Sequence, residues 1–337
     1  MNSGLGQFSW RFSEALAQHA PNEWSLFGII PPDSKKIASR YQPIKTNLLN
    51  RIFENSKEFD LWHSLHQFPA HFPKKGTTHI LTVHDLNFLT EKTGRKKIRY
   101  LNQVQKNVDN ASVITAISNF TKSQIEENVN LKGKEVTVIY NGVQVDTFID
   151  STPPDYLSGL DYFFSIGIFN EKKNFHALFD LMHQFADKKL VIAGVNTTAY
   201  GAKLKELIVK KGLTDKIILV GPVSEKDKYW LYKNCTAFLF PSLAEGFGLP
   251  VIEAMQLGAP VITSDCGSLK EVGGNVASYF TDWNSECMAQ VIQEKLDKIE
   301  IDPHSFRENS RMHAEQFSWS RSIKGYIDLY ERLLSSS

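Results

Sequence analysis

Short apolar runs alternate with longer amphipathic stretches along the whole chain, and this alternation restricts the fold more than any other feature of the sequence. The runs fall at 24–30, 79–83, 112–117, 136–140, 162–166, 189–193, 216–220, 237–240 and 260–263. Most carry Val, Ile and Phe on both faces, as a parallel sheet requires when helices cover it on both sides. Between them, 8–19, 97–108, 122–128, 174–184, 202–211 and 226–234 read as helices. Strand followed by helix throughout predicts an α/β, doubly wound architecture, with ligands at the carboxyl ends of the strands.

A chain of 337 residues has room for two such units, at about 150 residues per domain. The best linker is Asp150-Ser151-Thr152-Pro153-Pro154-Asp155, where two prolines in a polar stretch break both ladder and helix. It sets off a first domain at 1–150 from a second at 151–316. The segment 317–334, with Trp319, Tyr326 and Tyr330, has the pattern of a long amphipathic helix and is expected to cross back to the first domain. The first half opens on Ser3-Gly4-Leu5-Gly6 and a helix instead of a strand. Either the chain starts downstream of a fuller beginning, or this domain lacks its opening strand.

With 38 Lys and Arg against 37 Asp and Glu, the net charge of +1 gives no global field for nucleic acid. Cys235, Cys266 and Cys287 are odd in number and widely spaced, which suggests neither a disulfide framework nor a zinc site and favours a reduced, cytoplasmic compartment. No apolar run approaches the roughly 18–20 residues that span a bilayer. The first residues carry neither a basic nor an apolar leader region, so no signal peptide is expected.

The richest chemistry follows the run at 237–240. There Glu245-Gly246-Phe247-Gly248-Leu249-Pro250-Val251-Ile252-Glu253-Ala254 joins a glycine turn to a helix. The glycines let backbone approach a ligand, and Pro250 suits the first helical position, where an N–H is not needed. Such a helix start directs N–H groups and a positive dipole end at an anion. Glu245 and Glu253 flank it as acceptors for paired hydroxyls. A diphosphate between two polyols fits this layout, which describes a nucleotide sugar; a plain loop-to-helix turn is the bland alternative. Gly167-Ile168-Phe169-Asn170-Glu171-Lys172-Lys173-Asn174 likewise follows a buried run and places two ammonium groups at the mouth of the same sheet. By itself this second segment reads more readily as a solvated N-terminal turn, and its placement at the start of the second domain, facing the cleft, is what favours the diphosphate.

These segments, with Ala259-Pro260-Val261-Ile262 and Asp265-Cys266-Gly267-Ser268-Leu269-Lys270-Glu271-Val272, resemble retaining glycosyltransferases of family 4. The first half agrees through Ser3-Gly4-Leu5-Gly6-Gln7, Thr82-Val83-His84-Asp85-Leu86, Ala116-Ile117-Ser118-Asn119-Phe120-Thr121-Lys122 and Asn141-Gly142-Val143. The resemblance covers nearly the whole chain in order. It implies the GT-B architecture, two facing Rossmann-like domains with a cleft between them. It also implies metal-independent transfer of a hexose, with retention, from a nucleotide diphosphate sugar and no other cofactor. GDP-mannose is the first candidate donor and a UDP-hexose the second. The acceptor would be a glycan or a lipid-linked glycan in cell-surface polysaccharide or lipopolysaccharide synthesis. Carried over by position, Glu253 accepts the ribose hydroxyls. Glu245 holds the transferred sugar, together with Gly246 and the backbone N–H groups of Phe247, Gly248 and Leu249. Lys172 and Lys173 neutralise the leaving diphosphate, His84 reaches the sugar, Gly4 and Gly6 form a loop near the diphosphate, and Val223 packs the nucleobase. Lys172 stands where Arg is commoner, a point charge in place of a fork, and Gln144 stands where Asp often follows Asn-Gly-Val.

Other signals are weaker. His63, His66 and His71 invite a metal reading, but a proline-containing loop without nearby Cys or acidic ligands suits no closed zinc site. Arg95, Lys96, Lys97 and Arg99 read first as a solvated helix start and second as a peripheral contact with anionic headgroups at the inner membrane face. Asp85 and Ser118-Asn119 read as caps, and Cys266 as a small packing residue. A non-catalytic sugar-nucleotide-binding subunit and a GT-B sugar-nucleotide epimerase remain open alternatives. A nicotinamide dehydrogenase is disfavoured, since no Gly-x-Gly-x-x-Gly opens either half.

Overall fold

The computed structural model describes residues 4–30, 38–45, 59–145, 154, 157 and 159–335. They form two compact units, Met1–Gly142 with Phe317–Ser337, and Val143–Gln316. The linker expected at 150–155 lies, except for Pro154, outside the described residues.

The first unit opens with helix α1 (Gly4–His19). A parallel pair follows, β1 (Leu26–Ile30) and β2 (Tyr41–Lys45). A four-stranded parallel sheet then runs in the order β3 (Leu61–Ser64), β4 (Thr78–Val83), β5 (Val113–Ala116) and β6 (Val136–Val138). Helices α2 (Phe88–Glu91), α3 (Gly94–Asn110) and α4 (Asn119–Asn128) connect its strands. Strand β4 shows why both faces must be apolar. Side chains alternate along it, so Ile80 packs with Phe8 and Phe12 of α1 while Leu81 and Val83 pack with Val104, Val108 and Ile125 of α3 and α4. Gly4 and Gly6, expected in a loop ahead of a helix at 8–19, instead lie in the first turn of α1. Glycine is least costly there, because the first N–H groups of a helix have no partner to lose.

In the second unit, β7 (Tyr162–Ile166) is followed by three short 3-10 turns, Glu171–Lys173, Phe175–Leu178 and Asp180–His183. After them come β8 (Lys189–Ala193), α5 (Ala199–Lys210), β9 (Ile217–Gly221), α6 (Glu225–Asn234) and β10 (Ala237–Phe240). The unit ends with α7 (Leu249–Gln256), β11 (Val261–Ser264), α8 (Leu269–Gly273), β12 (Ser278–Phe280), α9 (Ser285–Ile301) and α10 (Pro303–Ala314). All six strands are parallel, in the order β9-β8-β7-β10-β11-β12. Counted from β7, this is the Rossmann order 3-2-1-4-5-6. Winding reverses between β7 and β10, and a crevice opens outside their carboxyl ends. The helix expected at 174–184 is two 3-10 turns. Phe175, Leu178, Phe179, Leu181 and Met182 of these turns are all buried.

The last helix, α11 (Trp319–Ser335), belongs to the first unit. Its Trp319, Ile323, Tyr326 and Tyr330 share a core with Phe8, Phe12 and Ile80. Polar groups thread this interface. His63 Nδ1 lies 2.6 Å from the Tyr330 hydroxyl and its Nε2 2.7 Å from Thr82 Oγ1, which in turn meets Thr115 Oγ1 at 2.7 Å.

Candidate functional site

Two loops leave the sheet of the second unit at the point where its winding reverses. The loop after β10 ends in Gly248, whose φ of 98° is left-handed and whose added Cβ would lie 2.7 Å from Leu269 Cδ2. Helix α7 starts there, with Leu249 first and Pro250 second, which puts the positive end of the helix at the carboxyl end of β10. The loop after β7 runs past a close crossing of strand ends, where a Cβ on Gly194 would come within 1.9 Å of the Gly167 carbonyl oxygen.

Hydrogen bonds lace these loops together. Leu243 N donates to the Lys172 carbonyl at 2.7 Å, and Ser242 Oγ lies 3.2 Å from the same oxygen. Lys173 Nζ reaches Glu245 Oε1 at 2.5 Å, and Ser242 Oγ donates to that oxygen at 2.6 Å. The two charged side chains are only 11% and 14% exposed, and the ammonium sits 4.7 Å above the Phe240 ring. From the loop after β11, Ser268 N and Oγ donate to the Glu245 carbonyl at 3.2 and 3.0 Å, and Ser264 Oγ donates to the Ser242 carbonyl. Glu245 is therefore held at its backbone and at its carboxylate.

Glu253 lies one turn farther into α7 than the helix start, so it answers side chains of α6 and not the helix dipole. Lys228 Nζ donates to its Oε1 at 2.7 Å and the Tyr232 hydroxyl to its Oε2 at 3.0 Å. Burial works against the Lys228 charge, but Glu253, Tyr229 and Glu225 together outweigh it and hold the lysine pKa above its ordinary value. Neither Lys228 nor Tyr232 is marked by the sequence, and Ser242 stands in the loop after the run at 237–240 with no role assigned. Lys228 sits in the run Ser224-Glu225-Lys226-Asp227-Lys228, which reads as a solvated helix start, and Tyr232 reads as plain core.

One crevice edge thus gathers Lys172, Lys173, Glu245, Gly246, Phe247, Gly248 and Leu249, with Glu253 behind it on α7. Phe247 is buried and Leu249 exposed. Val223 is half-buried at the carboxyl end of β9, an outer strand of the same sheet. His84, Gly4 and Gly6 belong to the first unit. The His84 ring is buried beside Phe8, with Nε2 2.9 Å from the Leu65 carbonyl, and burial lowers its pKa to about 3. It is thereby engaged as a hydrogen-bonding ring within its own unit. His63 has both ring nitrogens engaged by Tyr330 and Thr82, which leaves none for a metal. His66 Nδ1 accepts from Phe68 N, and among the described residues no cluster of three His, Cys, Asp or Glu could hold an ion. Asp85 accepts from Asn87 N, and Ser118 Oγ caps α4 through Thr121 N. At the start of α3, Arg95, Lys96 and Arg99 are exposed around an Ile98 that is 59% exposed.

A family model described as "Glycosyl transferases group 1" matches 157–316, and one described as "Glycosyltransferase Family 4" matches 10–147. The O-antigen chain mannosyltransferase RfbU of Salmonella typhimurium is 30% identical over 200 residues, 59% of this chain and 55% of that protein. The chain thus spans about half of that relative. The O-antigen chain mannosyltransferase B of Escherichia coli is 27% identical over 277 residues, 75% of this chain and 70% of that one. Among solved structures, Anabaena HepE in complex with UDP-glucose superposes with a TM-score of 0.74 at 17% identity, covering 100% of this chain and 97% of that one. At that identity the likeness concerns the fold, two Rossmann-like domains of the GT-B type. By its two domain matches, its relatives and this fold, the chain belongs to the glycosyltransferases of the group 1, family 4 type.

Proposed function

We propose that this glycosyltransferase moves a hexose, mannose before others, from a nucleoside diphosphate sugar to a glycan or lipid-linked acceptor in cell-surface polysaccharide synthesis. Transfer would proceed with retention and without a metal ion or further cofactor. GDP-mannose is the first donor and a UDP-hexose the second. Two relatives named as O-antigen chain mannosyltransferases support the first, and the UDP-glucose complex of HepE supports the second. The observation that carries the reading is Lys173 against Glu245 at 2.5 Å, on the two loops flanking the winding reversal and beside the start of α7.

In this reading Lys173 pairs with the site's own carboxylate, Glu245. An arriving diphosphate takes over Lys173 and the N–H groups of α7, and Glu245 is released to accept sugar hydroxyls. As the bond from C1 to the phosphate oxygen breaks, negative charge grows on the diphosphate. Fixed positive groups there stabilise the transition state more than the ground state. The acceptor oxygen bonds C1 on the same face, and its proton goes to the departing phosphate oxygen. Neither Glu245 nor Glu253 acts as a nucleophile. The exposed basic start of α3 supports a peripheral contact with anionic headgroups at the cytoplasmic face. Sedimentation with anionic but not zwitterionic vesicles, lost on charge reversal of Arg95 and Arg99, is the expected result.

The decisive experiment incubates the purified protein with GDP-mannose or UDP-glucose and a glycan acceptor, in excess EDTA, and reads the product by NMR. An α-linked product from an α-linked donor, formed at an undiminished rate, is expected. An inverted anomer, or activity abolished by EDTA, overturns the mechanism. Donor altered without any acceptor would identify an epimerase, and donor binding without turnover a non-catalytic subunit.

A further inference from the structure

Lys228 and Tyr232 are one turn apart on α6 and close on the same carboxylate, one on each oxygen of Glu253. Tyr232 is fully buried, its ring wedged edge-on against Phe164 and Phe238 at 5.1 and 5.0 Å, so its hydroxyl is a fixed point. Lys228 and Glu253 are 18% and 19% exposed. A carboxylate has about four acceptor positions, and here two are taken from the α6 side. The carboxylate plane is thereby set by the protein before any ligand arrives.

We infer that Lys228 and Tyr232 are positioning residues which aim the two remaining acceptor positions of Glu253 at a vicinal diol, and so make the site select ribonucleoside over 2′-deoxyribonucleoside diphosphates. This rests on the reading of Glu253 as the ribose acceptor. A carboxylate free to turn satisfies one hydroxyl as readily as two and does not discriminate. A clamped one keeps an oxygen facing the missing 2′-hydroxyl with no ligand donor in its place, and that loss is charged to the deoxy ligand.

Calorimetric titration of the full chain with GDP, 2′-deoxy-GDP, UDP and 2′-deoxy-UDP tests this, with melting temperatures recorded as a check on folding. The wild type should bind the ribo form of its preferred base about tenfold or more tightly. Tyr232→Phe keeps the ring packing and Lys228→Met keeps the stem. Both should cut that ratio to about threefold or less, mainly by weakening the ribo ligand. Lys228→Met also removes a cation and weakens both ligands, so the ratio is the measure. Lys228→Arg should keep the preference. An unchanged ratio in both variants, even with a lowered melting temperature, would mean a mere tie between α6 and α7 and overturns the inference. Diphosphate binding by the wild type without ribo preference overturns it while leaving the donor reading intact. Binding of neither base removes the donor reading itself, and the inference with it.

Discussion

Lys173 and Glu245 pair with one another, so truncating either exposes two effects at once. Lys173→Ala removes the cation that meets the charge developing on the diphosphate, and kcat should fall by about 10²–10³. Donor KM should change much less, because the helix start still binds the ground-state anion. Steady-state kinetics with donor varied decides it, and an unchanged kcat would remove the phosphate assignment. Glu253→Ala acts on binding alone, with donor KM rising about tenfold and kcat kept. Much of this could be read in advance. The glycine turn, the helix start and the paired lysines are local patterns with a local chemical meaning. Lys228 and Tyr232 could not be read, because their significance lies in a partner on another helix, and residues 228 and 253 are joined only by the order in which strands pair. The depth of Glu253 in α7 was also hidden, since it depends on whether Leu249 or Pro250 starts the helix.

Helix α7 depends on its cap. Gly248 holds a left-handed φ of 98° where any other residue is strained, and an alanine methyl would also press on Leu269 at 2.7 Å. Gly248→Ala should therefore lower stability by about 1–3 kcal/mol and displace the helix start. Urea unfolding and donor affinity should drop together, and a fully stable variant with reduced affinity would contradict the strain argument. The same logic shows which elements the sequence disclosed. Strands β7, β8 and β10 are apolar on both faces because helices cover both faces, and their limits could be read to the residue. The β2 segment Tyr-Gln-Pro-Ile-Lys has a polar, proline-broken pattern and, among the described residues, pairs only with β1, and β12 is three residues long, so neither has a period to detect. Helices α9 and α10 went unmarked because their charged faces mask a narrow buried stripe of Met288, Ile292, Ser310 and Ala314. At 174–184 the amphipathic pattern is real, with Phe175, Leu178, Phe179 and Met182 buried, and that spacing does not separate 3-10 turns from an α-helix.

At the scale of the molecule, acid should act on the two units unequally. In the first unit His84 is buried and His63 half-buried, and desolvation lowers both pKa values from 6.5 to about 3. Their neighbours His66 and His79 are lowered as well, again chiefly by burial. In the second unit the histidine with a lowered pKa, His176, is less deeply placed, and the burial-shifted Tyr232 and Cys235 move upward, away from the acid range. Between pH 6.5 and about 3 the unfolded chain therefore binds protons at His63 and His84 that the folded first unit refuses. Stability then falls as pH falls through that window, by up to about 1.4 kcal/mol per pH unit for each histidine, and is flat above it. Fluorotryptophan labelling separates the units, since Trp10, Trp24, Trp62 and Trp319 report the first and Trp230 and Trp283 the second. In urea titrations followed by fluorine NMR, the midpoint of the first set should drop between pH 7 and pH 5 much further than that of the second. His63→Gln keeps a hydrogen-bonding side chain without the titration, and should flatten that slope although its midpoint at pH 7 is lower. Equal acid sensitivity of both sets would mean that these histidines do not govern the acid limit of the first unit.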